Sequence, residues 1–270
     1  MTTKEFQNIL AEKGSYLTER DGPGRSVMDR LTGWSDVRYY AGLLRTIFSG
    51  NRFARRNRFT PDVWADHSFR VIRTIEKCGG RIDISGFENL TQLKGPAVYV
   101  ANHMSLLETL MFPSMLVQFN YLAVVVKQSL TEYPVFGCVM RAVEPVIVGR
   151  KDARKDLKTV LENGRLFLSQ GRSVLIFPQS TRSPVLEEKN FNSLGSKLAS
   201  RSDVPAIPVA LKTDFHGIGG KFRDAGKIDR RRTIYFKFGP PISASEDPRR
   251  AHREVLGFIA SNLEKWKEIE

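Results

Sequence analysis

The chain contains only two cysteines, Cys78 and Cys138, among its 270 residues. Two cysteines are too few for a disulfide framework or a cysteine-rich zinc site, so we expect free thiols in a reducing compartment. Long apolar runs are also absent, because no stretch approaches the roughly 20 apolar residues that a transmembrane helix needs. Residues 1–12 mix charges and lack the apolar core of a signal peptide. We therefore expect a protein that is soluble or bound peripherally to the cytoplasmic face of a membrane.

Acidic residues are comparatively scarce. Lys and Arg total 42 against 29 Asp and Glu, which gives a formal net charge of +13. Such a charge attracts nucleic acids, anionic lipid headgroups or anionic substrates. The sequence has no helix-turn-helix, RRM, KH or zinc-finger pattern. An anionic membrane surface is therefore the predicted partner, and nucleic acid is not.

An amphipathic segment follows a turn signal at residues 21–24. Apolar residues recur with helical spacing from Trp34 to Phe48, and a cluster of arginines follows as far as Arg58. This pattern suits a helix lying on an anionic bilayer, and it equally suits a helix packed on its own domain with a solvated basic tail. We place a helical, basic, membrane-contacting extension at residues 1–58 and a second domain at residues 59–270.

The second domain alternates predicted strands and helices. Thr60 and Pro61 predict a helix start, and the glycines at 79–80 predict its end. Predicted strands then lie at 81–86, 97–101, 121–126, 143–148, 173–177, 206–211 and 233–238, with helices between most of them and a closing helix from Pro248 to Lys267. This order predicts an α/β fold with a mostly parallel central sheet flanked by helices, preceded by the N-terminal helical extension.

A histidine occupies one strand-to-helix turn of this domain. The apolar strand ends at Asn102-His103, Ser105 is a suitable N-cap for a helix from Leu106, and Glu108 lies in the first helical turn. A carboxylate that accepts the proton of one imidazole nitrogen fixes the tautomer and leaves the other nitrogen as a base. On this stretch alone, a turn histidine with an unrelated surface glutamate remains the favoured interpretation.

Other polar residues follow neighbouring strands. Lys127 and Arg150 follow two of them, and a polar loop at 178–183 follows a third. Ligands collect at the carboxyl ends of parallel strands, so these residues are expected near His103. The guanidinium of Arg182 suits bidentate binding of a phosphate. This shared edge turns His103 and Glu108 into a candidate catalytic pair.

Four blocks in order resemble the glycerophospholipid acyltransferase family, the bacterial 1-acylglycerol-3-phosphate acyltransferases and their relatives. Asn102-His103 with Glu108 resembles the Asn-His-x4-Asp signature. The other blocks are Lys127-x2-Leu130-x3-Pro134-x2-Gly137 with Arg150 beyond it, Phe-Pro-Gln-Ser-Thr-Arg-Ser at 177–183, and Val-Pro-Ala-Ile-Pro-Val at 204–209, and a closing phrase at 238–242 is also similar. Residues 212–214, Lys-Thr-Asp, are similar to certain bacterial relatives.

The resemblance implies a glycerol-3-phosphate acyltransferase-like fold and a reaction of phospholipid biosynthesis. An acyl group would pass from acyl-CoA or acyl carrier protein to the hydroxyl of lysophosphatidic acid or a similar acceptor, with no metal or other cofactor. Backbone N–H groups in the turns are candidate oxyanion donors. The implied catalytic residues are His103 and Glu108, and the implied substrate-binding residues are Lys127, Arg150, Gln179, Ser180, Thr181 and Arg182.

Three positions depart from the family pattern. Glu108 stands in place of Asp, Gln179 in place of Glu, and Ser180 in place of Gly. A non-catalytic lipid-binding relative and an active branch with an altered acceptor both fit these changes. His103 and Arg182 are retained, which favours the active enzyme. The remaining histidines are dispersed and predicted to be structural, although His216 beside Gly217 lies where an approach to the site is feasible.

Overall fold

A computed structural model describes residues 1–19, 35–179, 181–220 and 224–269. The strands are β1 (Tyr16–Leu17), β2 (Arg81–Ser85), β3 (Val98–Ala101), β4 (Leu122–Lys127), β5 (Val146–Val148), β6 (Ser173–Ile176), β7 (Ala206–Lys212) and β8 (Thr233–Phe238). The helices are α1 (Thr3–Lys13), α2 (Ser35–Ala54), α3 (Pro61–Lys77), α4 (Glu88–Thr91), α5 (Leu107–Leu116), α6 (Gln128–Glu132), α7 (Phe136–Ala142), α8 (Ala153–Ser169), α9 (Leu194–Ser202) and α10 (Pro248–Ile269).

The strands form one mixed sheet in the order β1-β2-β8-β7-β3-β6-β4-β5. Strands β7, β3, β6, β4 and β5 run parallel to one another, and β2 is parallel to β8. Only the pairs β1–β2 and β7–β8 are antiparallel within the described part of the chain. Every residue of β3 and β6 is buried, as expected for central strands covered on both faces. The predicted α/β fold with a mostly parallel sheet is confirmed.

Local signals explain where several elements begin and end. The Thr60 hydroxyl accepts a hydrogen bond from the Val63 N–H at 3.3 Å, and Pro61 opens α3 as predicted. Gly79 ends this region with a φ of +82°, a conformation that glycine adopts without strain. The sheet edge near residue 143 differs from the prediction. Residues 136–142 form α7, so β5 begins only at Val146 and the expected turn at 134–137 leads directly into this helix.

The N-terminal residues contribute to the core and to the sheet. Phe6 and Leu10 of α1 are completely buried, and β1 pairs antiparallel with β2. Helix α2 lies close to α3, where Gly42 approaches the Thr74 side chain. The predicted boundary at residue 58 falls between these two helices. Trp34 and the turn at 21–24 lie outside the described residues, and no helix among those described is long and apolar enough to cross a bilayer.

Candidate active site

A cleft opens at the carboxyl ends of β3, β4, β5 and β6. Its volume is about 770 Å³, and its lining includes the predicted site residues His103, Lys127, Arg150, Gln179 and Thr181. These residues follow four different strands, and the parallel arrangement carries them to one edge of the sheet. Apolar side chains also line the cleft, among them Leu130, Leu157, Val160 and Phe177. The cleft therefore combines cationic and apolar surfaces, which suits an amphipathic ligand.

Asn102 fixes the turn that carries His103. Its side-chain amide donates to the Leu211 carbonyl at 2.8 Å and accepts from the Leu211 N–H at 2.9 Å. Both backbone groups of one residue on β7 are thereby paired with a single side chain at the end of β3. The Asn-His pair thus has a physical basis, because the amide anchors the turn and the histidine after it enters the cleft.

His103 and Glu108 are in direct contact. The distance from His103 Nδ1 to Glu108 Oε1 is 2.9 Å, the Glu108 side chain is fully buried, and the His103 side chain is 15% exposed. The same Oε1 atom accepts the backbone N–H groups of Met104 at 2.6 Å and Ser105 at 2.8 Å. A buried carboxylate requires such partners. Because Glu108 holds Nδ1, Nε2 is the ring nitrogen that remains to act as a base.

The second oxygen of Glu108 is held by two hydroxyl groups. Ser105 Oγ lies 3.0 Å and Thr213 Oγ1 lies 2.7 Å from Glu108 Oε2. Burial on its own raises the pKa of Glu108, but hydrogen bonds from His103 and Thr213 and the proximity of the imidazole outweigh this effect and lower the pKa below its ordinary value. Glu108 is therefore an ionised carboxylate at neutral pH.

Two of these contacts refine or extend the sequence interpretation. Ser105 does not sit at the N-cap itself, because the helix begins at Leu107, but its Oγ accepts the Leu107 N–H at 3.1 Å while also contacting Glu108. Thr213 belongs to the Lys-Thr-Asp tripeptide that is similar to certain bacterial relatives, and that similarity implies no role for it. No local pattern reveals it, because it is 105 residues from Glu108 and reaches the site only through the pairing of β7 with β3.

The loop after β6 supports His103 from the other side. The Phe177 ring stacks on the imidazole with centroids 4.3 Å apart. The Gln179 side-chain oxygen accepts the His103 N–H at 2.8 Å, and the His103 carbonyl accepts the Ser183 N–H at 2.9 Å. Gln179 is only 4% exposed. Replacement of the usual glutamate by glutamine therefore keeps the acceptor that holds the histidine backbone.

The backbone N–H groups of the histidine turn, which are among the candidate oxyanion donors, are already engaged. The backbone N–H of His103 is bound to Gln179, and those of Met104 and Ser105 are bound to Glu108. A developing oxyanion would have to find its donors elsewhere in the cleft.

Lys127 and Arg150 line the cleft from two different strand ends, whereas Arg182 is not among the residues that line it. Lys127 ends β4, and Arg150 follows β5 with a φ of +58°, in a turn where the N–H groups of Gly149 and Arg150 donate to Asp156 at 2.9 and 2.8 Å. Burial lowers the pKa of Arg150, the negative charge of Asp156 opposes this effect, and the positive charge of Arg182 adds to it. Arg182 forms an ion pair with Asp224, a partner that the sequence did not suggest. Ser180 lies outside the described residues.

Comparisons with known proteins agree with this arrangement. Residues 81–212 match the family model described as Acyltransferase. The chain is 30% identical over 203 residues to the 1-acyl-sn-glycerol-3-phosphate acyltransferase of Pseudomonas aeruginosa, a match that covers 75% of this chain and 74% of that protein. It is 31% identical over 134 residues to the chloroplastic 1-acyl-sn-glycerol-3-phosphate acyltransferase LPAT1 of Arabidopsis thaliana, covering 48% of this chain and 36% of that one.

A solved structure extends the likeness to the fold. The 1-acyl-sn-glycerophosphate acyltransferase PlsC from Thermotoga maritima superposes with a TM-score of 0.63 at 20% identity, covering 88% of this chain and 97% of that chain. Sequence, fold and the order of the motif blocks therefore agree, and the chain belongs to the glycerophospholipid acyltransferase family.

Proposed function

We propose that this acyltransferase moves a fatty acyl group from acyl-CoA or acyl carrier protein to the free hydroxyl of lysophosphatidic acid or a closely similar acceptor. The observation that carries the proposal is the 2.9 Å contact between His103 Nδ1 and a fully buried Glu108, in a cleft that also holds Lys127 and Arg150. The names of the relatives support the same acceptor.

The proposed reaction is a direct acyl transfer. His103 Nε2 takes the proton of the acceptor hydroxyl as its oxygen attacks the thioester carbonyl carbon, because an alcohol is a poor nucleophile at neutral pH. The tetrahedral intermediate then collapses, the carbon–sulfur bond breaks, and the thiolate leaves and receives the proton from His103. Glu108 holds the ring in the required tautomer and stabilises the imidazolium formed in between. No covalent enzyme intermediate and no metal or cofactor is required.

The acceptor is proposed to bind by its phosphate and its acyl chain. Lys127, Arg150 and Arg182 supply positive charge for the phosphate, with Thr181 as a further polar contact and Ser180 retained as a proposed contact from the family pattern. Gln179 acts on the site through the His103 backbone. Leu130, Leu157 and Val160 offer apolar surface in the cleft, and Thr109 lines both the cleft and a second, apolar pocket.

We also propose that the enzyme meets its acceptor at an anionic membrane surface, on the cytoplasmic face of that membrane. Val37, Leu44 and Phe48 lie on one apolar stripe of α2, and their side chains are 61, 52 and 55% exposed. Beside the stripe lies a groove of about 590 Å³ between α2 and α3, lined by Arg38, Arg45, Arg70, Arg73 and Lys77. Exposed apolar side chains flanked by cations are typical of helices bound at an anionic interface.

A matrix of donors and acceptors tests the reaction. Purified protein is incubated with labelled acyl-CoA or acyl carrier protein and with lysophosphatidic acid, other lysophospholipids or monoacylglycerol. We expect labelled phosphatidic acid and little product from monoacylglycerol, which lacks the phosphate. Acceptor binding without turnover by any donor would favour the non-catalytic lipid-binding relative. Turnover of monoacylglycerol equal to that of lysophosphatidic acid would refute the proposed phosphate site.

Vesicle sedimentation tests the membrane contact. Leu44→Ser with Phe48→Ser is compared with Leu166→Ser, a change at an equally exposed leucine on α8. We expect the α2 variant to bind vesicles of phosphatidylcholine and phosphatidylglycerol at least several-fold more weakly, because exposed apolar area anchors the helix. Equal binding by both variants would show that α2 is not the contact.

A further inference from the structure

Helix α2 is tied by side-chain contacts to the segment that follows β7. Tyr39 Oη lies 2.8 Å from His216 Nδ1, the Tyr40 hydroxyl donates to the Gly226 carbonyl, and Asp36 lies 3.5 Å from Arg230. Tyr39 is fully buried and His216 is 2% exposed. A buried tyrosine–histidine pair between two elements is a specific polar contact, because each group would be costly to bury alone.

The His216 end of this pair leads to the catalytic glutamate. The backbone N–H of His216 donates to the Thr213 carbonyl at 3.1 Å and closes the 213–216 turn. The Thr213 hydroxyl lies 2.7 Å from Glu108 Oε2, and Glu108 in turn contacts His103. One continuous chain of hydrogen bonds and backbone therefore runs from α2 to the proposed general base.

The state of the His216 ring is consistent with a fixed structural contact. Burial lowers the pKa of His216, an effect opposed by the Asp224 backbone and by the negative charge of Glu108. Burial also raises the pKa of Tyr39 well above its ordinary value. A neutral imidazole beside an un-ionised tyrosine can accept its O–H at Nδ1. The rings of Tyr39 and Tyr40 flank the imidazole in edge-to-face arrangements, with centroids 5.7 and 5.8 Å from it.

We propose that Tyr39 and His216 are positioning residues. They hold the 213–216 turn and keep the Thr213 hydroxyl in contact with Glu108. The geometry of the catalytic pair therefore depends on how α2 packs against this turn. Neither residue lines the cleft, so both act through Thr213. The inference rests on the proposed acyl transfer for its kinetic readout. Helix α2, which carries the exposed apolar stripe, is thereby coupled to the general base His103.

The kinetic test compares Tyr39→Phe with Tyr16→Phe. Each change removes one tyrosine hydroxyl that bonds a buried side chain, but the Tyr16 hydroxyl contacts Glu76, away from the cleft. At a temperature where both variants are folded by circular dichroism, we expect Tyr39→Phe to lower kcat about tenfold or more with KM nearly unchanged, because small misplacements of a catalytic group are costly. Tyr16→Phe should leave kcat near that of the unmodified protein.

A double-mutant cycle separates positioning from simple stabilisation. If Tyr39 acts through His216, Tyr39→Phe should have no further effect on kcat in a His216→Leu background. Additive losses, or a lower melting temperature with unchanged kcat, would overturn the proposal.

A proton NMR experiment needs no turnover. The Nδ1 proton of His103, hydrogen-bonded to Glu108, should shift in Tyr39→Phe and not in Tyr16→Phe. If the unmodified protein turns over no acceptor, the proposed function fails and this resonance alone decides the positioning role. An unchanged resonance in Tyr39→Phe would then refute it.

Discussion

Glu108→Gln is the most informative single substitution at the proposed site, because it changes charge while it preserves shape. Glu108 Oε1 accepts three N–H groups, from His103, Met104 and Ser105. The glutamine oxygen can take this position. Its NH2 group would then face the hydroxyls of Ser105 and Thr213, which can accept as well as donate. The tautomer of His103 is thereby kept, and only the negative charge is lost.

The expected magnitude follows from the charges. An imidazolium about 4 Å from a carboxylate is stabilised by ~4 kcal/mol at an effective dielectric constant of about 20. Since ~1.4 kcal/mol corresponds to a tenfold change in rate, loss of this interaction should lower kcat by about 10²–10³-fold. Stability at neutral pH should fall by less than this, because the amide keeps the acceptor position and only the contribution of the ionised carboxylate is lost.

The assay is steady-state acyl transfer to lysophosphatidic acid, with chemical denaturation in parallel. Glu76→Gln is the matched control, because Glu76 is another buried glutamate, paired with Arg73 and bound by Tyr16, and it is absent from the cleft lining. The control should lose stability and keep its kcat. A Glu108→Gln enzyme with kcat within about threefold of the unmodified protein would refute the proposed electrostatic role of Glu108.

Three further predictions concern the same site. Because the pKa of Glu108 is lowered in the folded state, its ionised form stabilises the fold above the ordinary carboxyl pKa, and this contribution is lost as the pH falls through the folded pKa. Unfolding free energies measured between about pH 6 and 3 should therefore fall more steeply for the unmodified protein than for Glu108→Gln, and parallel curves would contradict this. Gln179→Ala should lower the unfolding free energy by about 1–3 kcal/mol, because the His103 N–H loses its acceptor. Gln179→Glu keeps an acceptor oxygen and should retain most of this free energy. Equal stability of Gln179→Ala and the unmodified protein in denaturant would argue against the contact. Arg182→Lys should raise KM for lysophosphatidic acid about tenfold with a smaller effect on kcat, because an ammonium cannot bind phosphate bidentately, and an unchanged KM would remove Arg182 from the phosphate site.

Local signals made part of this structure predictable. The Thr60-Pro61 start of α3 and the alternation of strands and helices rest on residues close in sequence, and the chain folds as they indicate. The approach of Glu108 to His103 was likewise foreseeable, because both lie in one strand-turn-helix unit. The longer glutamate side chain reaches the ring at 2.9 Å, so the contact is kept at a position where aspartate is usual in the family.

The contacts that were missed all depend on tertiary arrangement. Strand β1 has only two residues and no pattern of its own, and it forms because β2 offers a free edge. Thr213 meets Glu108 through the strand order of the sheet. Asp224 meets Arg182 across 42 residues of sequence. Sequence periodicity identifies the elements and their buried faces, whereas partners from distant elements depend on strand order, which periodicity does not determine.

The central claim is that His103 is the base of the acyl transfer, and the rate of product formation by His103→Ala tests it most directly. Single-turnover transfer from acyl-CoA or acyl carrier protein to lysophosphatidic acid is compared with that of His252→Ala, a histidine that stacks on Phe191 outside the cleft lining. Circular dichroism is recorded to establish that both variants are folded. The proposed mechanism predicts loss of transfer by at least about 10²–10⁴-fold in His103→Ala and near-normal transfer in His252→Ala. Retained transfer by folded His103→Ala would contradict it.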